Sequence, residues 1–245
     1  MTNLARGFAQ AGNRYPLFGI MLYALLGRGV QCQDWRSMAW ATQHLMDGVG
    51  LWADIRGDRP GEPGPILFLD RDGVLIEDRG YVGSAADTHV YPDAVAAVAA
   101  ARALGYRVAV VTNQSGIGRG LYDWAGFAAV QQEIDAALSR AGLGLDAVFA
   151  CAYHDAGAPP YAAADHPWRK PQPGMILEGL RRLNGVAARS ALVGDKPTDI
   201  AAARAARLGT AVLIARGGSP GAAPADAVVR SLGDAVAFLR AARGR

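Results

Sequence analysis

From Pro65 onward, short apolar runs alternate with longer alanine-rich stretches. The runs Ile66–Leu69, Arg107–Thr112, Ala147–Ala152, Ala191–Val193 and Thr210–Ala215 lack the in–out alternation of a half-exposed strand. Such runs read as strands buried on both faces, with Ala227–Val229 as a shorter sixth. Helix signals fall between them. Pro92 and Asp93 open a helix that stops near Gly105, and Asp123 caps one running to about Arg140, with Gly142 beyond it. Pro173 starts another that ends at Gly185, and Pro197 one that ends at Gly209. Ser231, with Asp234 three residues on, reads as the cap of the last helix. This alternation predicts an α/β fold, a Rossmann-like parallel sheet with helices on both faces.

Residues 1–62 break the pattern. They hold three of the five tryptophans and four of the five methionines. The apolar run Leu17–Leu26 is too short to span a bilayer, and no small-x-small cleavage site follows it. The expectation is an N-terminal extension, 1–62, with one or two amphipathic helices at about 17–26 and 34–45. A Gly- and Pro-rich linker over 56–65 then leads to a catalytic domain, 63–245.

Composition narrows the classes. The chain is 51% hydrophobic with a formal charge of +3, so disorder is excluded as its general state. Its basic residues are scattered, which gives no case for nucleic acid, and no segment reads as a membrane span. Two cysteines, Cys32 and Cys151, make no disulfide framework and suit a reducing, cytoplasmic compartment. Oligomeric state stays open, with a monomer the simpler expectation. Of 25 basic residues only Lys170 and Lys196 are lysines. Where arginine serves nearly everywhere else, these two read as places that need a compact ammonium. Both are expected at the surface edge of the sheet, where exchange for arginine spares the fold.

The chemistry collects at strand ends. Ile66–Leu69 runs into Asp70, Arg71, Asp72 and Gly73. Two carboxylates two residues apart point the same way from a strand, and their repulsion calls for a cation or a shared proton. Thr112 and Asn113 end the second strand, and Asp195 follows the fourth. In an open parallel sheet these ends share one edge, where ligands bind. Lys170 is delivered there by the loop after the third strand. Carboxylates for Mg²⁺, a hydroxyl and an ammonium for phosphoryl oxygens, and a carboxylate nucleophile are the parts of metal-assisted phosphoryl transfer.

Asp-Arg-Asp-Gly-Val, Val-Val-Thr-Asn, Arg-Lys-Pro and Val-Gly-Asp-Lys-Pro-Thr-Asp, in this order, resemble the four motifs of the haloacid dehalogenase superfamily. The resemblance covers about residues 65–240 and leaves out the extension. It implies that Asp70 is a nucleophile forming an aspartyl-phosphate. Asp72 would protonate the leaving alcohol and then act as base for the hydrolytic water. Thr112 and Lys170 would bind the phosphoryl group. Asp195 would hold Mg²⁺ together with Asp70 and the backbone carbonyl of Asp72, and Asp199 would lie behind or beside the metal.

Further segments narrow the likeness to the heptose 1,7-bisphosphate 7-phosphatases, relatives of the histidinol phosphatases. They are Gly80-Tyr-Val82, Asn113-Gln-Ser-Gly-Ile-Gly-Arg-Gly120, Arg169-Lys-Pro-Gln-Pro-Gly-Met175 and Gly194-Asp-Lys196. This implies hydrolysis of a small phosphorylated sugar, with substrate contacts from Arg71, Asp78, Arg79, Gly80, Tyr81, Asn113, Gln114, Ser115, Arg169 and Lys196. Histidinol phosphate is the alternative substrate, and a non-catalytic sugar-phosphate-binding scaffold the alternative of another class. No large cap domain fits between the motifs. The family's structural zinc loop is eroded here: Cys151 and His166 stand at ligand positions, Tyr153 and Trp168 replace the other two, and His154 is adjacent. That is an incomplete ligand set for zinc, so the expectation is a loop packed by its aromatic residues.

Overall fold

The architecture follows from a strand that is buried on both faces. In the computed structural model, which describes residues 51–56, 61–217 and 224–243, Ile66–Leu69 sits at the centre of a sheet with all four residues buried. The strands are β1 (Leu51–Ile55), β2 (Ile66–Leu69), β3 (Arg107–Asn113), β4 (Ala147–Cys151), β5 (Ala191–Gly194), β6 (Thr210–Ile214) and β7 (Ala227–Val229). The helices are α1 (Ala94–Ala103), α2 (Ser115–Gly118), α3 (Trp124–Ser139), α4 (Gly174–Arg182), α5 (Pro197–Ala205) and α6 (Leu232–Arg243). Among the described residues the sheet order is β1-β4-β3-β2-β5-β6-β7. All pairs are parallel except β1 with β4. The chain winds outward from β2 through β3 and β4, then returns to β5 on β2's other side. The direction of winding thus reverses beside β2, the switch point where open α/β sheets bind ligands.

The two faces take alternate residues of each strand. Leu67 and Leu69 pack with Val108, Val110 and Val148 under α1, α3 and α6. Ile66 and Phe68 pack with Ala109, Val111 and Phe149 under α4 and α5. Full burial of such side chains contributes about 1.5–3 kcal/mol each. The helices begin where their caps direct. Asp123 accepts from Gly126 N at 2.9 Å, and Ser231 Oγ accepts from Asp234 N at 3.0 Å. At two helix ends the expected glycine is not the residue in the left-handed region. Asn184 (φ 49°) and Arg207 (φ 55°) take it, ahead of Gly185 and Gly209.

The sequence reading also missed β1. Residues 51–55, taken there as part of the extension, pair antiparallel with β4 from Leu51–Cys151 to Ile55–Ala147. Trp52 stacks on Trp124 at 5.8 Å and meets Phe127 edge-on at 5.4 Å. Arg56 clamps Asp135 of α3 through two hydrogen bonds of 2.7 and 2.8 Å. The helices expected at 17–26 and 34–45 lie outside the described residues. No described helix is long and apolar enough to cross a membrane.

Candidate active site

Three strand ends and one loop build the site. Asp70 leaves β2 with its backbone N–H donating to Val193 O of β5 at 3.0 Å, which locks the first acidic residue beside the fourth motif. At Gly73 (φ 78°) the backbone turns, and a Cβ there would lie 2.4 Å from Asp195 Oδ2. Glycine is required twice over, by the dihedral and by the approach of Asp195. Carboxylate oxygens of Asp70, Asp195 and Asp199 lie within 4.8 Å of one another.

Lys170 answers part of this negative charge. Its side chain is 2% exposed, and its ammonium donates to Val111 O (2.9 Å) and forms ion pairs with Asp70 Oδ2 (3.0 Å) and Asp199 Oδ1 (2.5 Å). Burial acts to discharge it, but Asp199 and Asp70 outweigh burial and hold its pKa above the ordinary lysine value. Asp199, expected behind or beside the metal, is fully buried. One oxygen pairs with Lys170, and the other accepts from Lys196 N at 2.9 Å at the start of α5. Asp195 differs. Its Oδ1 is buried without a hydrogen-bond donor among the described residues. Burial, with Asp70 next in effect, pushes its pKa up to about 7. A buried, unpartnered carboxylate oxygen facing a second carboxylate is the donor set of a hard divalent cation.

Asp72 faces a separate set of partners. Its Oδ2 accepts from Gln114 Nε2 (2.9 Å) and Arg71 Nε (3.2 Å), and its Oδ1 from Arg71 Nη2 (3.0 Å). Gln114 Nε2 also donates to Thr112 Oγ1 at 2.8 Å. Beside Asp72 opens a cleft of about 290 Å³ whose lining includes Asp78, Gly80, Tyr81, Asn113, Ser115, Tyr122 and Lys196.

The residues expected against substrate therefore divide. Gly80, Tyr81 and Ser115 line the cleft. Asp78 and Lys196 line it while paired to each other at 3.0 Å. Asn113 also holds the lysine loop, its side chain accepting from Lys170 N (3.0 Å) and donating to Lys170 O (2.9 Å). Arg169 Nη1 donates to Tyr153 O at 2.9 Å, and burial lowers its pKa. Arg71 lines the cleft as well as pairing with Asp72, whereas Gln114 is buried with its side chain turned to Asp72. Arg79 pairs with Glu77 on the surface. Tyr122 was not anticipated, since a tyrosine before a helix cap carries no local signal of a site.

In the loop after β4, Tyr153 stacks on His166 at 4.0 Å and Trp168 meets Phe149 edge-on at 5.9 Å. Cys151 Sγ lies 3.9 Å from His166 Nδ1. Burial pushes the Cys151 thiol up to about 11.

The family model of haloacid dehalogenase-like hydrolases matches residues 2–207. A D-glycero-beta-D-manno-heptose-1,7-bisphosphate 7-phosphatase of Mesorhizobium japonicum is 43% identical over 174 residues, covering 71% of this chain and 80% of that protein. The D-glycero-alpha-D-manno-heptose-1,7-bisphosphate 7-phosphatase of Burkholderia mallei is 41% identical over 175 residues, 71% of this chain and 92% of that one. Among solved structures, the D,D-heptose 1,7-bisphosphate phosphatase of B. bronchiseptica, complexed with magnesium and phosphate, superposes with a TM-score of 0.60. It is 30% identical and covers 73% of this chain and 99% of that one.

Proposed function

We propose, from the premise that this chain belongs to the haloacid dehalogenase-like hydrolases, that it is a phosphatase removing the C7 phosphate of D-glycero-D-manno-heptose 1,7-bisphosphate. The observation that carries the reading is the meeting of Asp70, Asp72, Thr112, Lys170 and Asp195 at one sheet edge, beside a cleft of about 290 Å³. A cleft of that size suits one small phosphorylated sugar. The names of the relatives supply the sugar.

Asp70 attacks phosphorus, and the bond from phosphorus to the C7 oxygen breaks. Asp72 protonates that departing oxygen. Water then attacks the aspartyl-phosphate while Asp72 takes its proton, which frees phosphate and restores the Asp70 carboxylate. Lys170 holds the nucleophile, and the Thr112 hydroxyl serves the phosphoryl oxygens. Asp70, Asp195 and the backbone carbonyl of Asp72 fit Mg²⁺, which when bound supplies positive charge to the transferring phosphoryl group. Arg169 and Lys196 are the cations available to a second phosphate.

Steady-state kinetics on both heptose bisphosphate anomers and on histidinol phosphate test this. We expect kcat/KM for a heptose bisphosphate to exceed that for histidinol phosphate by at least about 100-fold, or roughly 2.7 kcal/mol of transition-state binding. A preference for histidinol phosphate would overturn the substrate, and Asp70→Asn retaining more than about one per cent of the rate would overturn the mechanism.

A further inference from the structure

We infer that Gln114, latched by Tyr122, is a positioning residue that sets the carboxylate of Asp72 for proton transfer to the leaving oxygen. The inference rests on the reading of Asp72 as proton donor. Gln114 is 1% exposed, and both ends of its amide are in use. Its oxygen accepts from Arg71 Nη2 (2.9 Å) and from the Tyr122 hydroxyl (2.5 Å). Its nitrogen donates to Asp72 Oδ2 and to Thr112 Oγ1. Only one orientation of the amide works. A flip would set NH₂ against a guanidinium, which can only donate, and a carbonyl against a carboxylate.

The consequences reach both reacting side chains. Asp72 Oδ2 has two donors, from Gln114 and Arg71, so both its lone pairs are engaged. Oδ1 has a single donor among the described residues, Arg71 Nη2. Oδ1 is therefore the oxygen with a lone pair left to carry the proton. Thr112 Oγ1 accepts from the same amide, which leaves its O–H to donate to a phosphoryl oxygen.

The frame around the amide is rigid. Arg71 is fully buried and lies 5.1 Å from the centroid of the Phe127 ring. Tyr122 fits a slot made by two glycines. A Cβ on Gly116 would fall 2.2 Å from its ring, and one on Gly83 would fall 2.5 Å from its Cβ and Cγ. Burial pushes the Tyr122 phenol up to about 12, so its hydroxyl keeps the proton it donates to Gln114. A carboxylate loose by an ångström loses much of its effect on transfer, so the frame matters most where the leaving group most needs a proton.

The test compares kcat/KM on two substrates, because this parameter covers only the steps through transfer to Asp70. One is heptose 1,7-bisphosphate, whose alkoxide is a poor leaving group. The other is p-nitrophenyl phosphate, whose phenolate leaves with little help. For Gln114→Leu we expect a fall of about 100-fold on the sugar, within the span of general acid catalysis, and less than about 5-fold on the aryl ester. Tyr122→Phe, which keeps the ring in its slot, should fall about 3- to 10-fold on the sugar alone. Asp72→Asn should show the same contrast, and adding Gln114→Leu to it should change little further. Equal losses on both substrates for Gln114→Leu and Tyr122→Phe, beside a selective loss for Asp72→Asn, would overturn the positioning role and leave the proton donor standing. An unselective loss for Asp72→Asn would overturn both.

Discussion

At Asp195 the fold holds a charge that it does not itself neutralise. The carboxyl titrates at about 7 in the folded chain against an ordinary value of 3.8. The folded state therefore binds the proton more tightly than the unfolded one. Stability from this group is greatest below pH 4 and is lost as pH rises through 7, at about 1.4 kcal/mol per pH unit between the two values. We expect Asp195→Asn to raise the melting temperature of the metal-free protein at pH 8 and to abolish the further rise that Mg²⁺ gives the wild type. A lower melting temperature for the metal-free variant would contradict this account. Lys170 and Lys196, equivalent from composition, part company in the structure. Lys170 is enclosed between two paired carboxylates and a backbone carbonyl, whereas the Lys196 side chain is 53% exposed. Lys170→Arg should lower kcat at least about 100-fold. It should also cost about 1–3 kcal/mol in a urea melt, because the larger head must displace a buried acceptor. Lys196→Arg should raise KM and leave the melt unchanged; near-wild-type kinetics for Lys170→Arg would remove that lysine from the catalytic set.

Among the elements, the loop from Tyr153 to Gln172 carries most of the incomplete zinc ligand set. Side-chain packing does the holding: Tyr153 on His166, Trp168 on Phe149, and the Asn113 side chain bracketing the Lys170 backbone. Burial raises the pKa of the Cys151 thiol and lowers that of His166, disfavouring the charged form of each. A strong zinc chelator should therefore leave the melting temperature unchanged when Mg²⁺ is in excess. Elemental analysis near one zinc per chain, lost on chelation together with stability, would refute this. The substitutions at the ligand positions were legible in the sequence. So was a loop packed by its aromatic residues, but not which ring meets which, because Tyr153 and His166 lie 13 residues apart in a loop with no period.

For the molecule as a whole, the edge strand β1 closes one side of the described sheet. It covers the free edge of β4, and Arg56 ties its end to α3. A chain starting at residue 57 should melt several degrees lower and associate through the bared strand edge; an unchanged melt and a monomeric profile in size-exclusion chromatography would show that β1 adds nothing. The central strands, their helices and the motif aspartates were readable in order, because a strand buried on both faces must be a continuous apolar run. A parallel sheet then brings every such strand's C-terminal end to one edge. So Asp70, Asp72, Thr112, Lys170 and Asp195 could be named without a structure. What each of them touches could not. Leu51–Ile55 is five residues flanked by a glycine-rich linker, and only the open edge of β4 makes it a strand. Gln114 reads as one more polar residue of a motif, yet which way its side chain turns depends on neighbours far along the chain. The sequence determined which groups reach the catalytic edge, since local periodicity and strand direction suffice for that. Tertiary packing alone decided which carboxylate keeps a buried oxygen without a donor among the described residues and which is held by Arg71 and Gln114.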